Sequence, residues 1–255
     1  MINPCVIIPV YNHEHAIGAM VNAVLAHGLP CILIDDGSAP SCAHLLNQLA
    51  LATPDRVTVL RHPQNRGKGS AVLTGFYHAA SKGYTHALQI DADGQHNAAD
   101  IPRFLALAAK SPSAVIAGCP LYDENVPKQR LYARYLTHLW IWINTISLDI
   151  KDSMCGFRVY PLLPLIALAQ HKKLGKYMDF DPEVLVRLHW QGLDIINVPT
   201  HVTYPDDGLS HFRLVRDNLL ISHMHARLFF GMLWRAPYLL ARKLKRKLIQ
   251  GKRKP

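Results

Sequence analysis

The sequence predicts an α/β fold: one mostly parallel sheet flanked by helices, continued by a basic amphipathic helical tail. Three observations carry that expectation. Short β-branched runs alternate with helical patterns through the first half, and successive runs end in turns rich in carboxylates and glycine. The charge, finally, sits at one end. Of the 28 Lys and Arg and the 18 Asp and Glu, residues 213–255 hold 12 and 1, so the formal net charge of +10 belongs to that segment and residues 1–212 are close to neutral. The chain therefore divides into an α/β domain, 1–212, and a tail, 213–255.

Taken in order, the first strand is expected at 6–10, closing on Tyr11-Asn12, and the first helix at 16–27. A strand at 31–34 runs into Asp35-Asp36-Gly37-Ser38 and is followed by a helix at 43–51. The strand at 57–60 leads to Asn65-Arg66-Gly67-Lys68-Gly69 and a helix at 69–81. The strand at 86–90 leads to Asp91-Ala92-Asp93-Gly94-Gln95-His96 and a helix at 98–110, with a fifth strand at 114–118. Any one of these ends reads as an ordinary turn, since Asp, Asn, Ser and Gly are turn residues. Together they place one kind of chemistry beyond the carboxyl ends of the strands, where open α/β sheets bind ligands.

Composition narrows the class. A chain of 255 residues, 49% hydrophobic along its whole length, excludes disorder and low complexity. Five cysteines with no C-x-x-C pair and a start without a charged leader predict reduced thiols in a cytosolic body. The most apolar uncharged run, 135–148, is too short to span a bilayer. The basic tail predicts attraction to an anionic surface, either a membrane leaflet or a nucleic-acid backbone. A nucleic-acid footprint would run through the body as well, which is neutral, so the membrane surface is favoured and no nucleic-acid partner is expected.

Two nucleotide motifs are absent. Gly67-Lys68-Gly69-Ser70 resembles the end of a phosphate loop, but His62 stands where its first glycine is required, and no G-x-G-x-x-G follows the first strand. Asp91 and Asp93, by contrast, share one face of an extended segment and can converge on a hard divalent cation, Mg²⁺ or Mn²⁺. Such a cation keeps open positions that phosphate oxygens fill.

The segments VIIPVYN, IDDGS, NRGKGSA, QIDADGQ, DSMCGFRVY and FDPEVLVRL occur in this order. Together they resemble the family 2 glycosyltransferases of the GT-A fold, especially the branch similar to dolichyl-phosphate mannose synthases, over about residues 5–212. The resemblance implies a nucleotide-sugar donor (UDP-, GDP- or dTDP-linked), an inverting transfer and a divalent cation. It implies that Pro9 and Tyr11 line the nucleotide pocket, that Asp36 meets the base and that Lys68 lies beside the base or ribose. Asn12 and Gly67 belong to the same turns. Asp91 would face ribose and metal, and Asp93 would ligate the metal, with Gln95 and His211 as further candidates. No Q-x-x-R-W motif of processive synthases is present, which favours transfer of a single sugar.

Two departures bear on the acceptor. Gly118-Cys119-Pro120 stands where the dolichyl-phosphate branch tends to carry an Arg, and Gly208-Leu209-Ser210-His211 where it has Gly-x-Ser-Lys. Without those two cations, a hydroxyl group on a lipid-linked or acyl acceptor is expected rather than a polyprenyl phosphate. An alcohol needs a general base, and Asp181, ahead of Asp179, is the candidate. The same Asp181, with Pro182 and Glu183 behind it, also reads as a helix cap. Arg158 would reach acceptor or diphosphate bidentately, or form a surface ion pair. Leu136, Leu139, Trp140, Ile143 and Ile146 lie at helical spacing and predict a core-facing stripe, with a lipid-facing groove for the acceptor as the alternative. The tail, with Trp234 among apolar and basic neighbours and Pro237 as a break, predicts an interfacial helix on the inner face of the cell membrane.

Overall fold

The computed structural model describes residues 1–122, 128–203 and 212–251. Its first half follows the predicted alternation: β1 (Pro4–Val10), α1 (Glu14–Ala26), β2 (Cys31–Asp35), α2 (Pro40–Ala52), β3 (Val57–Arg61), α3 (Lys68–Ser81), β4 (His86–Gln89), α4 (Ile101–Lys110) and β5 (Val115–Tyr122). Thereafter come α5 (Lys128–Thr145), β6 (Arg158–Pro161), α6 (Leu162–His171), α7 (Phe180–Trp190), β7 (Ile195–Val202) and α8 (Leu214–Gly251).

The seven strands form one sheet in the order β3-β2-β1-β4-β6-β5-β7. β1 pairs in parallel with both β2 and β4, so the winding direction reverses at β1 and opens a crevice beyond its carboxyl end. Because helices cover both faces, the central strands are apolar on both. Cys5, Ile7, Ile32 and Ile34 face a layer containing Phe76, Leu165 and Leu185, while Val6, Ile8, Val10 and Leu33 face one containing Val21, Leu46 and Phe104. β6, antiparallel to both β4 and β5, and β7, parallel to β5, are strands the sequence reading does not contain.

The predicted stripe on α5 is split: Trp140 packs on His225 and Phe229 of α8 and Ile146 on the core, but the other three positions face outward. The helix buries Thr137, Ile141, Asn144 and Thr145 and turns Leu136 (59% exposed), Leu139 (50%) and Ile143 (37%) outward. Around buried Ile141 the face carries polar groups with hydrogen bonds of their own: Thr145 Oγ1 donates to Ile141 O (2.8 Å), and Asn144 O accepts from Trp190 Nε1 (2.8 Å).

α8 runs unbroken through Pro237, which the sequence reading treats as a break. Met232 and Leu239 are buried on either side of it, and Pro237 itself is exposed, so the carbonyl left without an N–H partner is on the solvent side. The helix has two apolar faces. Ile221, Met224, Leu228, Met232 and Leu239 pack on the body, while Leu219, Phe230, Leu233, Trp234 (87% exposed), Leu240 and Leu244 look away from it. No helix among the described residues is long and apolar enough to cross a membrane.

Candidate active site

The crevice is built from the ends of β1, β2 and β4 and the start of α3. Asn12, at φ 53°, closes β1 by accepting Ala39 N on Oδ1 (2.7 Å) and donating its own N–H to Ser38 Oγ (3.1 Å), which ties the β1 and β2 ends together. Pro9 and Tyr11 are half-buried at the same rim. The Asp36 carboxylate is buried and takes Arg66 N (2.9 Å), Gly67 N (2.8 Å) and His62 Nδ1 (2.6 Å). It therefore shapes the turn that delivers Lys68 to the crevice. Gly67, at φ 95°, has the backbone and ring of Lys176 and Tyr177 against it, leaving no room for a side chain.

Lys68 opens α3 and sends its ammonium between two carboxylates, 2.8 Å from Asp91 Oδ1 and 2.9 Å from Asp181 Oδ2. Burial alone would depress its pKa, but Asp181 and Asp91 outweigh that and hold it well above the usual lysine range. Burial likewise favours the neutral acid at Asp91, yet Lys68 and His96 pull its pKa well below the ordinary value. At half-buried Asp93, desolvation and then the charge of Asp91 push the pKa upward. A carboxylate whose ionisation is opposed by a charged carboxylate beside it is a place suited to a divalent cation. Among the described residues no set of three or more His, Cys, Asp and Glu side chains is grouped to hold a metal ion.

Asp181 is buried at the start of α7, where Gln89 Nε2 donates to its Oδ1 (3.0 Å). It is not the cap of that helix: the N-cap is Asp179. The Asp179 carboxylate lies against Gly175 and accepts Tyr177 N (3.1 Å), so it shapes the loop before α7 and is not among the groups gathered around Lys68. Arg158 is wholly enclosed, correcting the surface ion pair: its guanidinium donates to Ser153 O (2.6 Å), Tyr160 Oη (2.9 Å) and Asp181 O (2.8 Å). Its contacts support Asp181 from beneath. Burial pushes the Tyr160 phenol up to about 12 and the Cys155 thiol to about 12, so both are neutral.

Beside Asp91 lies a hollow of about 70 Å³ lined by Gln95, His96, Pro120, Arg134 and Gly156 among others. Gly156 is required there, because a Cβ would strike the Asp91 carboxylate. Gln95 and His96 are fixed by Thr203 N donating to Gln95 O (3.0 Å) and by a bridge from His96 to Val202. Sequence reasoning missed Arg134. It reaches the hollow from α5, steered by Asp152 (Nε to Oδ2, 2.5 Å), with His138 one turn along at 3.3 Å from the same oxygen. Asp152 Oδ1 meanwhile accepts Met154 N (2.9 Å) and Cys155 N (2.7 Å). The available signal was Arg134 and His138 spaced i, i+4 ahead of an apolar run. The His211 candidate, with Gly208 and Ser210, lies outside the described residues.

The crevice thus lies at a sheet switch point and is flanked by an Asp-x-Asp strand end. Residues 5–163 match the model of glycosyl transferase family 2, and the chain belongs to that family. It is similar to the polyprenol monophosphomannose synthase of Mycolicibacterium smegmatis, with 30% identity over 80% of this chain and 79% of the relative. It is also similar to the UDP-N-acetylglucosamine–dolichyl-phosphate N-acetylglucosaminyltransferase of Methanococcus voltae, at 26% over 80% and 87%. Among solved structures, the fold matches Mycobacterium tuberculosis glucosyl-3-phosphoglycerate synthase in complex with Mn²⁺, UDP and phosphoglyceric acid, with TM-score 0.66, 16% identity, and 91% and 78% of the two chains covered. A Pyrobaculum calidifontis mannosyltransferase in complex with GDP-mannose and Mn²⁺ gives TM-score 0.58, 14% identity and coverage of 94% and 73%.

Proposed function

We propose that this protein transfers one sugar from a nucleotide-sugar donor to a lipid-borne phosphate, with inversion, at a membrane surface. The observation that carries the reading is the Arg134 hollow opening on Asp91: a cation held in place by a buried carboxylate, next to the pair that would hold the metal. Arg134 offers the charge that the missing strand-end Arg denies, which removes one of the two grounds for expecting a hydroxyl acceptor. Asp181 points the same way. Both of its oxygens are engaged, one by Lys68 and one by Gln89, which leaves it poorly placed to take a proton from an alcohol. A phosphate monoester is already ionised near neutral pH and requires no such base. The relatives named for polyprenol and dolichyl phosphate chemistry support this choice of acceptor class.

Asp91 and Asp93, with Gln95 beside them, would hold Mg²⁺ or Mn²⁺, and the cation supplies charge neutralisation at the diphosphate leaving group. Lys68 stands at the first turn of α3, where helix-end amides and a cation together favour phosphate oxygens. Asp36 sets the height of that turn beneath the nucleotide, with Pro9, Tyr11 and Asn12 on the opposite rim. Asp181 and Arg158 hold Lys68 and the floor of the cleft. The outward apolar faces of α5 and α8 would rest on the membrane interface as a peripheral contact. Incubating the protein with UDP-, GDP- and dTDP-sugars, Mn²⁺ and either polyprenyl phosphate or the matching polyprenol tests the reading. Product with the phosphate alone is expected, and product with the alcohol alone would overturn it.

A further inference from the structure

The loop of residues 172–179 lies over the turn that carries Lys68. Lys176 O accepts Ser70 N (3.1 Å), Tyr177 covers Gly67, and Gly175 and Phe180 pack on Gly69 so closely that a side chain there would collide with them. The position of Lys68 therefore depends on what holds this loop down. Two of its anchors are local, namely Asp179 on Tyr177 N and Glu183 on Gly175 N (2.8 Å). The others come from α8. Arg216 stacks on the Tyr177 ring, 4.0 Å from guanidinium carbon to centroid, and Arg227 donates to Glu183 Oε2 (2.8 Å).

Glu183 is fully buried and shares its charge between Arg227 and Arg187, the latter at 2.7 Å, so it is a compensated ion and a firm attachment point. Arg216 and Arg227 are eleven residues apart, three helical turns, and thus lie on one flank of α8 between its inward and outward apolar faces. We infer that Arg216 and Arg227 are positioning residues: through Tyr177 and Glu183 they clamp residues 172–179 onto the Gly67–Ser70 turn and so fix Lys68 between Asp91 and Asp181. The element with the outward apolar face is thereby the element that sets the donor turn. The consequence for donor binding rests on the function proposed above; the clamp itself does not.

The test compares wild type with the double variant Arg216→Gln/Arg227→Gln and with Arg216→Lys/Arg227→Lys. Hydrogen exchange is read without donor, and binding of UDP- and GDP-sugars with Mn²⁺ by calorimetry. Arg187 still compensates buried Glu183 in the Gln variant, but the loss of Arg227 should lower its melting temperature, so exchange is compared at a fixed temperature well below both melts and read as the excess at the clamp over the rest of the chain. The Ser70 and Gly175 amides should exchange roughly fivefold faster in the Gln variant, as expected for losing exposed ionic and stacking contacts. Donor Kd and KM should rise by a similar factor with kcat little changed, and the Lys variant should recover part of the loss. Unchanged exchange at Ser70 and Gly175, or a uniform rise across the chain, would overturn the clamp. If wild type binds no nucleotide sugar, the proposed function falls and the exchange data alone decide the clamp.

Discussion

Lys68 neutralises two carboxylates that approach it from different parts of the chain, and this makes the residue-level predictions separable. Asp93→Asn should abolish transfer and metal-dependent donor binding while the fold persists, since an amide replaces a hard anionic ligand; calorimetry with Mn²⁺ and a nucleotide sugar reads this directly. Asp181→Asn distinguishes two roles. Loss of a general base would lower kcat by about 10² to 10⁴ with donor affinity preserved. Loss of a Lys68 anchor, the outcome expected here, weakens donor binding instead. Arg134→Gln should raise the KM for a phosphate acceptor by about ten- to a hundredfold, the range for a hydrogen bond to a charged group, and leave donor affinity alone. Much of this site was legible because its residues sit in local strand-end motifs: Asp91, Asp93, Gly67 and Lys68 are read from neighbours two or three positions away. Arg134 was not, because its partner Asp152 is brought to it only by the fold.

At the scale of elements, β1 to β5 and their helices were readable because each strand is a nearly continuous apolar run between turn residues. β6 has four residues, contains the buried Arg158 and ends in Pro161, and β7 is interrupted by Pro199 and His201, so neither offers a period to detect. α5 misled for a sharper reason. Its buried face is partly Thr and Asn, so three of the five periodic apolar positions, Leu136, Leu139 and Ile143, fall on the outward side. Replacing Leu136, Leu139 and Ile143 together by Gln should therefore leave the melting temperature almost unchanged, whereas removal of three core side chains would cost several kcal/mol. Vesicle binding should fall, by roughly fivefold for each half-inserted leucine-sized side chain. The junction between α8 and the body carries its own pH signature. Hydrogen bonding from His189 first, and Arg246 among the further causes, hold the Asp149 carboxyl at about 2. Its contribution to stability is thus fully present above the ordinary value of 3.8 and is lost as pH falls through about 2. The stability difference between wild type and Asp149→Asn should shrink as pH falls from about 4 to about 2, as read by thermal melts.

For the whole molecule, the question is how many charges of the cationic tail the body holds and how many are left for the proposed membrane contact. Residues 235–255 hold nine Lys and Arg and no acid, which from the sequence alone reads as one undivided basic patch. The structure commits several of them. Arg235 lies over Trp190 at 4.7 Å, Arg242 donates to His189 O, Lys243 Nζ donates to Ile146 O (3.0 Å), and Arg246 pairs with Asp149 (3.0 Å) and Asp194. Deleting 235–255 would therefore remove body contacts and the buried Leu239 together with the charges, and should lower the melting temperature as well as vesicle binding. Deleting 247–255 separates the two effects. It spares every one of those contacts while removing Lys247, Lys252, Arg253 and Lys254 with exposed Leu248. Each cation near an anionic leaflet contributes on the order of 1 kcal/mol before screening, so affinity for anionic vesicles should drop by at least tenfold at low salt with the melting temperature and donor binding unchanged. The outward apolar faces of α5 and α8 remain, so residual binding should persist and depend only weakly on salt. Co-sedimentation at about 0.05 and 0.5 M salt measures both parts. Equal binding of full-length and shortened protein at low salt would place the electrostatic contact on the body rather than on the end of the chain.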